Sequence, residues 1–451
     1  MKKILLALLA VALLLVVGTL AYGVHLAGTL NTPEFKKTVL DRAKAAVGTD
    51  VSVTDMKISL VSGVTLRGIA VKNPAPFPGN LLTADAFVLR YKLLPLLAGR
   101  VDVERLSLEK PSLALLMDAR GAFNYEKLGA RRGPGKAAAT APAVGPSVPL
   151  KIVLSRLSVD DASVTMTDNT KARLLSVDDA GFTSAFEGEG GAAHASGKAE
   201  IRTVKLGDVL FVRGVSAPLT LSKQEVKLAP IGARLAGGRL SGDVTVRLEG
   251  GFRYVANVDV KGSSVRTLIE EARSTAGLSG TLQGNARFEG TGGLPTIRGR
   301  GEAQVADCKV ENARVMALVS SVLQVPELAN PEFSECRVEF TMTGSRVQMP
   351  VVSLKGDAIQ LTGHGSYDVD SYAIDYDMSL ALAAKLLAKV TRKEVRPAFK
   401  DRGDGFSAVD FRVYGTTLAP QTDLLSRVGK AAASEAAKQE VDKLLKKKKL
   451  F

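Results

Sequence analysis

Residues 51–73 read VSVTDMKISLVSGVTLRGIAVKN, and their hydrophobic rhythm sets the fold class. Val51 and Val53 alternate with polar residues, as do Met56, Ile58 and Leu60, so the parity steps once between Val53 and Met56. The next run repeats the device: Val64 and Leu66 are followed by Ile69 and Val71. Alternation with a period of two marks a strand with one apolar face. A slip of one residue would turn that face to solvent, so a step that restores it reads as a β-bulge, which bends and twists a sheet.

Working outward, LLPLLAGRVDVERLSLEKP spans Leu93 to Pro111. Leu93 to Leu97 read as a short apolar helix packed on the same face, and Gly99 releases the chain into a strand carrying Val101, Val103, Leu106 and Leu108. Its parity steps at Glu104 and Arg105. From Lys151 onward the pattern is short strands and Gly-containing turns, without a strict repeat. About 18 strands at about 4.8 Å each would give a sheet on the order of 90 Å long. One-sided helices interrupt this run at VRTLIEEAR and VMALVSSVLQVPEL, as covers for a sheet edge or end.

Composition agrees with an all-β chain. Of 451 residues, 46% are hydrophobic but only 5% aromatic, Trp is absent, and 43 are Gly. The formal charge of +14 invites a nucleic-acid reading, but the cations are scattered singly along strands without aromatic stacking partners, so no nucleic acid is expected. An anionic membrane surface would be served equally well.

The N-terminus places Lys2 and Lys3 before an uncharged run from Ile4 to Tyr22, long enough to cross a bilayer as a helix. We expect an uncleaved single-pass anchor with a cytoplasmic N-terminus and an exported remainder; the competing reading is a cleaved signal peptide. The expected organisation is an anchor over 1–30, a β region with a leading helix over 31–130, a Pro/Ala/Gly-rich linker over 131–150, a longer β region over 151–425, and a basic amphipathic helix over 426–451. That last helix ends in four lysines, a solvated helix end or a contact with lipid headgroups. Cys308 and Cys336 form either one disulfide or two buried thiols.

Catalytic chemistry is missing. His25 adjoins the anchor, His194 lies among small residues, and His364 sits between glycines. There is no nucleophile elbow, zinc motif or phosphate loop, so neither enzyme activity, metal nor cofactor is expected. Asp160 with Asp161, and Asp178 with Asp179, are adjacent and should point to opposite faces of their strands.

Several loose motifs in order carry a family resemblance: VKNP after a strand, the LLPLLAGRVDVERLSLEKP unit, and RGAFNYEKL, with Tyr125 where the pattern prefers Trp. Together with LSGTLQGNARFEGTG, GRGEAQVADCKVENARVMALVSSVLQ and FRVYGTTLAPQTD, they make the chain resemble the AsmA-like family, bacterial envelope proteins related to the TamB group. The resemblance implies an inner-membrane anchor, a periplasmic bulk, and an elongated, curled, mostly antiparallel sheet whose apolar groove carries phospholipids between inner and outer membrane. A groove of about 90 Å is too short to span an envelope alone, so either an envelope partner completes the path or the protein loads and holds phospholipid or another acylated lipid near the inner membrane. A scaffold for outer-membrane protein assembly, acting through exposed strand edges, is the alternative. An ordinary β-sandwich would share the alternation. Groove-lining candidates are Met56, Ile58, Leu60, Leu66, Val103, Leu106, Leu108, Val244, Val246 and Leu248.

Overall fold

The computed structural model describes residues 32–59, 63–92, 95, 100–128, 151–187, 194–222, 224–247, 253–274, 277–291, 296–311, 314–390 and 396–427. The anchor run with His25, most of the Leu93–Leu97 stretch, the linker, the lysine tail, Leu60 and Leu248 lie outside them. Among the described residues the chain is mainly β, with 22 strands and a few short helices. None of those helices is long and apolar enough to cross a membrane. Contacts divide the chain into two compact units, Met1–Arg234 with Asp243–Phe252, and Leu235–Gly242 with Arg253–Phe451.

The first unit opens on helix α1 (Pro33–Val47). The Thr32 hydroxyl accepts from the Phe35 amide at 3.3 Å, Pro33 sets the first turn, and Gly48 ends the helix at φ 79°, where a Cβ would be strained. Ten strands follow: β1 (Val51–Ser59), β2 (Gly63–Lys72), β3 (Asn80–Tyr91), β4 (Arg100–Glu109), β5 (Ser112–Leu116), β6 (Lys151–Leu154), β7 (Arg156–Thr167), β8 (Arg173–Glu187), β9 (His194–Leu206) and β10 (Leu210–Leu221).

Most neighbours are antiparallel, but one seam is not: β4 lies parallel to β6 and β7, and β5 parallel to β7. A parallel pair needs a return crossover of a dozen or more residues. Residues 117–150 make that return, so the Pro/Ala/Gly stretch connects strands of one unit, and the division between compact units falls at 235–252.

The parity steps in the sequence turn out to be aligned. β1 and β2 hold one register from Val51 opposite Val71 to Ser59 opposite Gly63, skipping only the Thr54/Gly68 position. The step in one strand therefore faces the step in the other, and the one-sided bulge expected here is a matched pair instead. Gly68 adopts φ 59°, and the line continues through Lys110 (φ 44°), Asp161 (φ 55°), Asp179 (φ 52°) and Gly214 (φ 61°). In this left-handed region L-residues are disfavoured by about 1–2 kcal/mol, with Asp among the more tolerant. The step at Glu104 is different: Arg90 faces Arg105 and Tyr91 faces Val103, so β4 carries a true extra residue.

β11 (Glu225–Leu235) and β12 (Gly238–Arg247) contribute residues to both units. The second unit continues with β13 (Arg253–Ser264), α2 (Val265–Glu271), β14 (Gly277–Thr291), β15 (Arg298–Glu311), α3 (Arg314–Leu323), β16 (Glu332–Thr343), β17 (Arg346–Lys355), β18 (Ile359–Asp368), β19 (Ala373–Ala383), α4 (Ala384–Leu387), β20 (Lys400–Asp401), β21 (Phe406–Thr416) and β22 (Pro420–Thr422). Strands β13 to β19, then β21 and β22, pair antiparallel in succession. Both one-sided helices expected from the sequence form, as α2 and α3.

Candidate functional site

Each unit covers one part of its apolar sheet face and leaves another part uncovered. In the first unit Phe35, Val39 and Leu40 of α1 pack on Met56, Ile58, Val64, Leu66, Phe87, Leu89, Tyr91 and Val103. Val47, at the end of α1, joins Val71, Leu81, Leu82, Leu115 and Phe123 beyond the line of steps. Burial pushes the Tyr91 phenol up, and its hydroxyl donates to the Ser59 carbonyl at 3.1 Å. Of the ten groove candidates, Met56, Ile58, Leu66 and Val103 therefore face protein, buried under α1. Leu106 and Leu108 are half-buried at the edge of that core, and Val244 and Val246 are half-buried on β12.

The uncovered part begins at β7, where Val164 and Met166 still touch the covered cluster. Beyond the steps, Leu113, Val164, Val177, Val204 and Val212 stand in one register row across β5, β7, β8, β9 and β10. A second row reads Leu115, Met166, Leu175, Leu206 and Leu210. On the near side, Leu108, Val159, Phe182, Ala199 and Ala217 form a third. Most of the middle members are half-buried, and Leu206 is 45% exposed, whereas Val64 under α1 is 1% exposed.

The steps keep charge off this face. Asp178 lies with Lys205, 2.7 Å from its ammonium, and with the Ser176 hydroxyl, which donates at 3.1 Å. Asp179 pairs with Arg202 at 2.9 Å on the neighbouring strand. The Lys205 hydrogen bond leads the effects that hold the Asp178 carboxyl below its usual range. Adjacent Asp178 and Asp179 thus share the polar side, contrary to simple alternation, because Asp179 takes the left-handed conformation. Asp160 and Asp161 are likewise both exposed. A signal was present: SVDDA occurs at 158–162 and again at 176–180.

The second unit uses different side chains. Leu282, Val305, Cys336, Leu354, Leu361, Leu380 and Val409 form one row from β14 to β21, half-buried at first and sealed at Leu380 and Val409. The sealed end packs on Val319 and Leu323 of α3, Leu386 of α4, and Leu328, Phe333 and Phe411. There Cys308 and Cys336 form a disulfide across β15 and β16, with Cα atoms 6.2 Å apart. On the uncovered side, the Phe288 ring lies over Gly299, Phe340 over Gly301, Tyr376 over Gly365 and Tyr254 over Gly290. The few aromatics thus fill the space above strand glycines, a placement the sequence pattern did not disclose.

Concave surfaces of mixed character lie elsewhere. One of about 770 Å³ in the second unit is ringed by Asp307, Lys309, Glu327, Glu332 and Lys389, with Lys309 bound to Glu332 at 2.8 Å. Among the described residues no group of His, Cys, Asp and Glu is arranged to hold a metal ion. What the chain offers chemically is apolar area, worth about 25 cal/mol per Å² removed from water.

The described residues form a mainly β protein whose apolar sheet face is helix-covered in one stretch and uncovered in another. Residues 1–215 match the AsmA family, a family generally associated with the bacterial envelope, and over that span the chain is AsmA-like. No curated protein and no solved structure matches it.

Proposed function

We propose that the protein is an envelope lipid carrier, anchored in the inner membrane by its N-terminal apolar run, whose curled sheet forms an apolar groove that holds phospholipid acyl chains and passes them toward the outer membrane. The observation that carries this reading is the set of uncovered aliphatic rows across β7 to β10, of which Leu206 is 45% exposed. An apolar strip of this kind, rimmed by polar residues, marks a binding surface. Acyl chains laid along the rows would gain about 0.8 kcal/mol per buried methylene, while headgroups stay in water beside the charged strand edges. The match of residues 1–215 to the AsmA family supports an envelope location, and an envelope partner would complete the path.

The groove lining proposed is Leu157, Val159, Leu175, Val177, Phe182 and Val204, in place of the four candidates under α1. The test is lipid mass spectrometry on the full chain extracted in mild detergent, together with photo-crosslinking from position 177. Co-purified phospholipid that Val177→Glu reduces about tenfold is the expected result, and Met56→Glu should unfold the first unit instead. Wild-type protein that carries no lipid, or carries it unchanged after Val177→Glu, overturns the reading.

A further inference from the structure

The register rows of the first unit's uncovered face carry apolar side chains or glycine except at one position. Ser184 on β8 stands in register between Leu157 on β7 and Gly197 on β9, and Gly197 in turn faces Leu219 on β10. Ser184 is buried to 4% exposure, and its Oγ has no hydrogen-bond partner among the described residues. Other buried serines are satisfied: Ser158 donates to Ser107 at 3.1 Å, Ser176 to Asp178 at 3.1 Å, and Ser263 to the Leu235 carbonyl at 2.7 Å. Those at 158 and 176 lie on the polar side of the sheet, whereas Ser184 shares the apolar side with Leu157. The strand beside it offers nothing to accept its proton. Gly197 has no side chain, and a Cβ there would lie only 2.7 Å from the Ser184 Cα, so the backbones need glycine at this point.

We propose that Ser184 is a polar foothold for the ligand: its hydroxyl donates a hydrogen bond to an ester carbonyl of an acyl lipid whose chain lies on the neighbouring aliphatic rows. A buried hydroxyl without a partner is costly, and alanine would pack as well, so the group is explained by an acceptor that arrives with the ligand. The acceptor is neutral, because Lys198 and Glu200 of the adjoining strand are exposed, away from this face. A carbonyl at the head of a hydrocarbon chain joins the two chemistries the site presents. This inference rests on the lipid reading above and narrows it to ester-bearing lipids.

The experiment loads the full chain with a diacyl phospholipid or with its dialkyl ether analogue, which lacks both carbonyls, and measures retained lipid by mass spectrometry. Wild type should retain the ester lipid about fivefold better, the value of one neutral hydrogen bond. Ser184→Ala should lose that preference while its lipid-free melting temperature stays level or rises, and Ser184→Thr, which keeps the hydroxyl, should preserve the preference. Equal retention of ester and ether lipid by wild type, or an unchanged preference in Ser184→Ala, overturns the foothold and leaves the groove standing. Retention of neither lipid by wild type overturns both.

Discussion

In the first unit the uncovered face is mostly aliphatic, its rows from β5 to β10 built largely of Leu and Val with Phe182 as a lone ring in the rows described; in the second, rings of Phe288, Phe340 and Tyr376 lie over Gly299, Gly301 and Gly365. Both units seal the other part of the face with helices, α1 in one, α3 and α4 in the other. The sealed parts resemble one another, mostly buried aliphatics with a few Phe, while the open parts diverge. Packing constrains the covered stretch to fit its helix, whereas an uncovered stretch has only to stay apolar and level. A valine row does so directly, and a ring over a glycine reaches the same height by another route.

The contrast can be broken most forcefully at a sealed position. Phe411→Ala should destabilise the second unit by about 3–5 kcal/mol, while Val177→Ala on the open face should cost about 1 kcal/mol or less. Denaturant-dependent hydrogen exchange, followed by peptides from each unit, reads both, and equal losses would mean that the open face is packed like a core. The disulfide marks the second unit alone. Replacing Cys308 and Cys336 by serine opens the loop between them and should cost that unit about 3 kcal/mol, leaving exchange in β1 to β10 unchanged.

Smaller effects sharpen the account of the steps. Gly68→Val places a branched side chain at φ 59°, against Thr54, and should cost about 2 kcal/mol. Asp161→Gly relieves a residue at φ 55° and should raise stability by up to about 1 kcal/mol. Thermal melting gives both signs. Weakest is the Asp178–Lys205 pair, partly exposed and worth under about 1 kcal/mol. Because Asp178 is held below its usual range, its contribution is complete at neutral pH and disappears as pH falls below about 4. The stability gap between wild type and Asp178→Asn should therefore close in acid, and a gap that widened there would refute the pairing.

Much of this was legible in the sequence because alternation is a local property. Val51 to Val71 disclosed two strands and their steps, and the two interrupting helices lay where their periodicity put them. What stayed hidden depends on which strand meets which. The partner of β5 is β7, across the return made by residues 117–150, and nothing in VPLKIVL names that pairing. Met56 and Val177 have the same hydrophobic character, and only the path of α1 decides that one is sealed and the other open. Ser184 looked like any strand serine until its neighbours were known.

The aligned steps restrict how such a sheet can lengthen. Steps at Gly68, Lys110, Asp161, Asp179 and Gly214 all shift their strands by one residue at the same level. A duplicated hairpin lacking the one-residue offset would sit in phase on one side of the line and out of phase on the other, presenting charges where its neighbours present valine. Growth by duplication is therefore tolerated only when the copied segment carries its own offset, as the twin SVDDA segments of β7 and β8 do. The offset acts as a reading frame for strands, inherited with each new one.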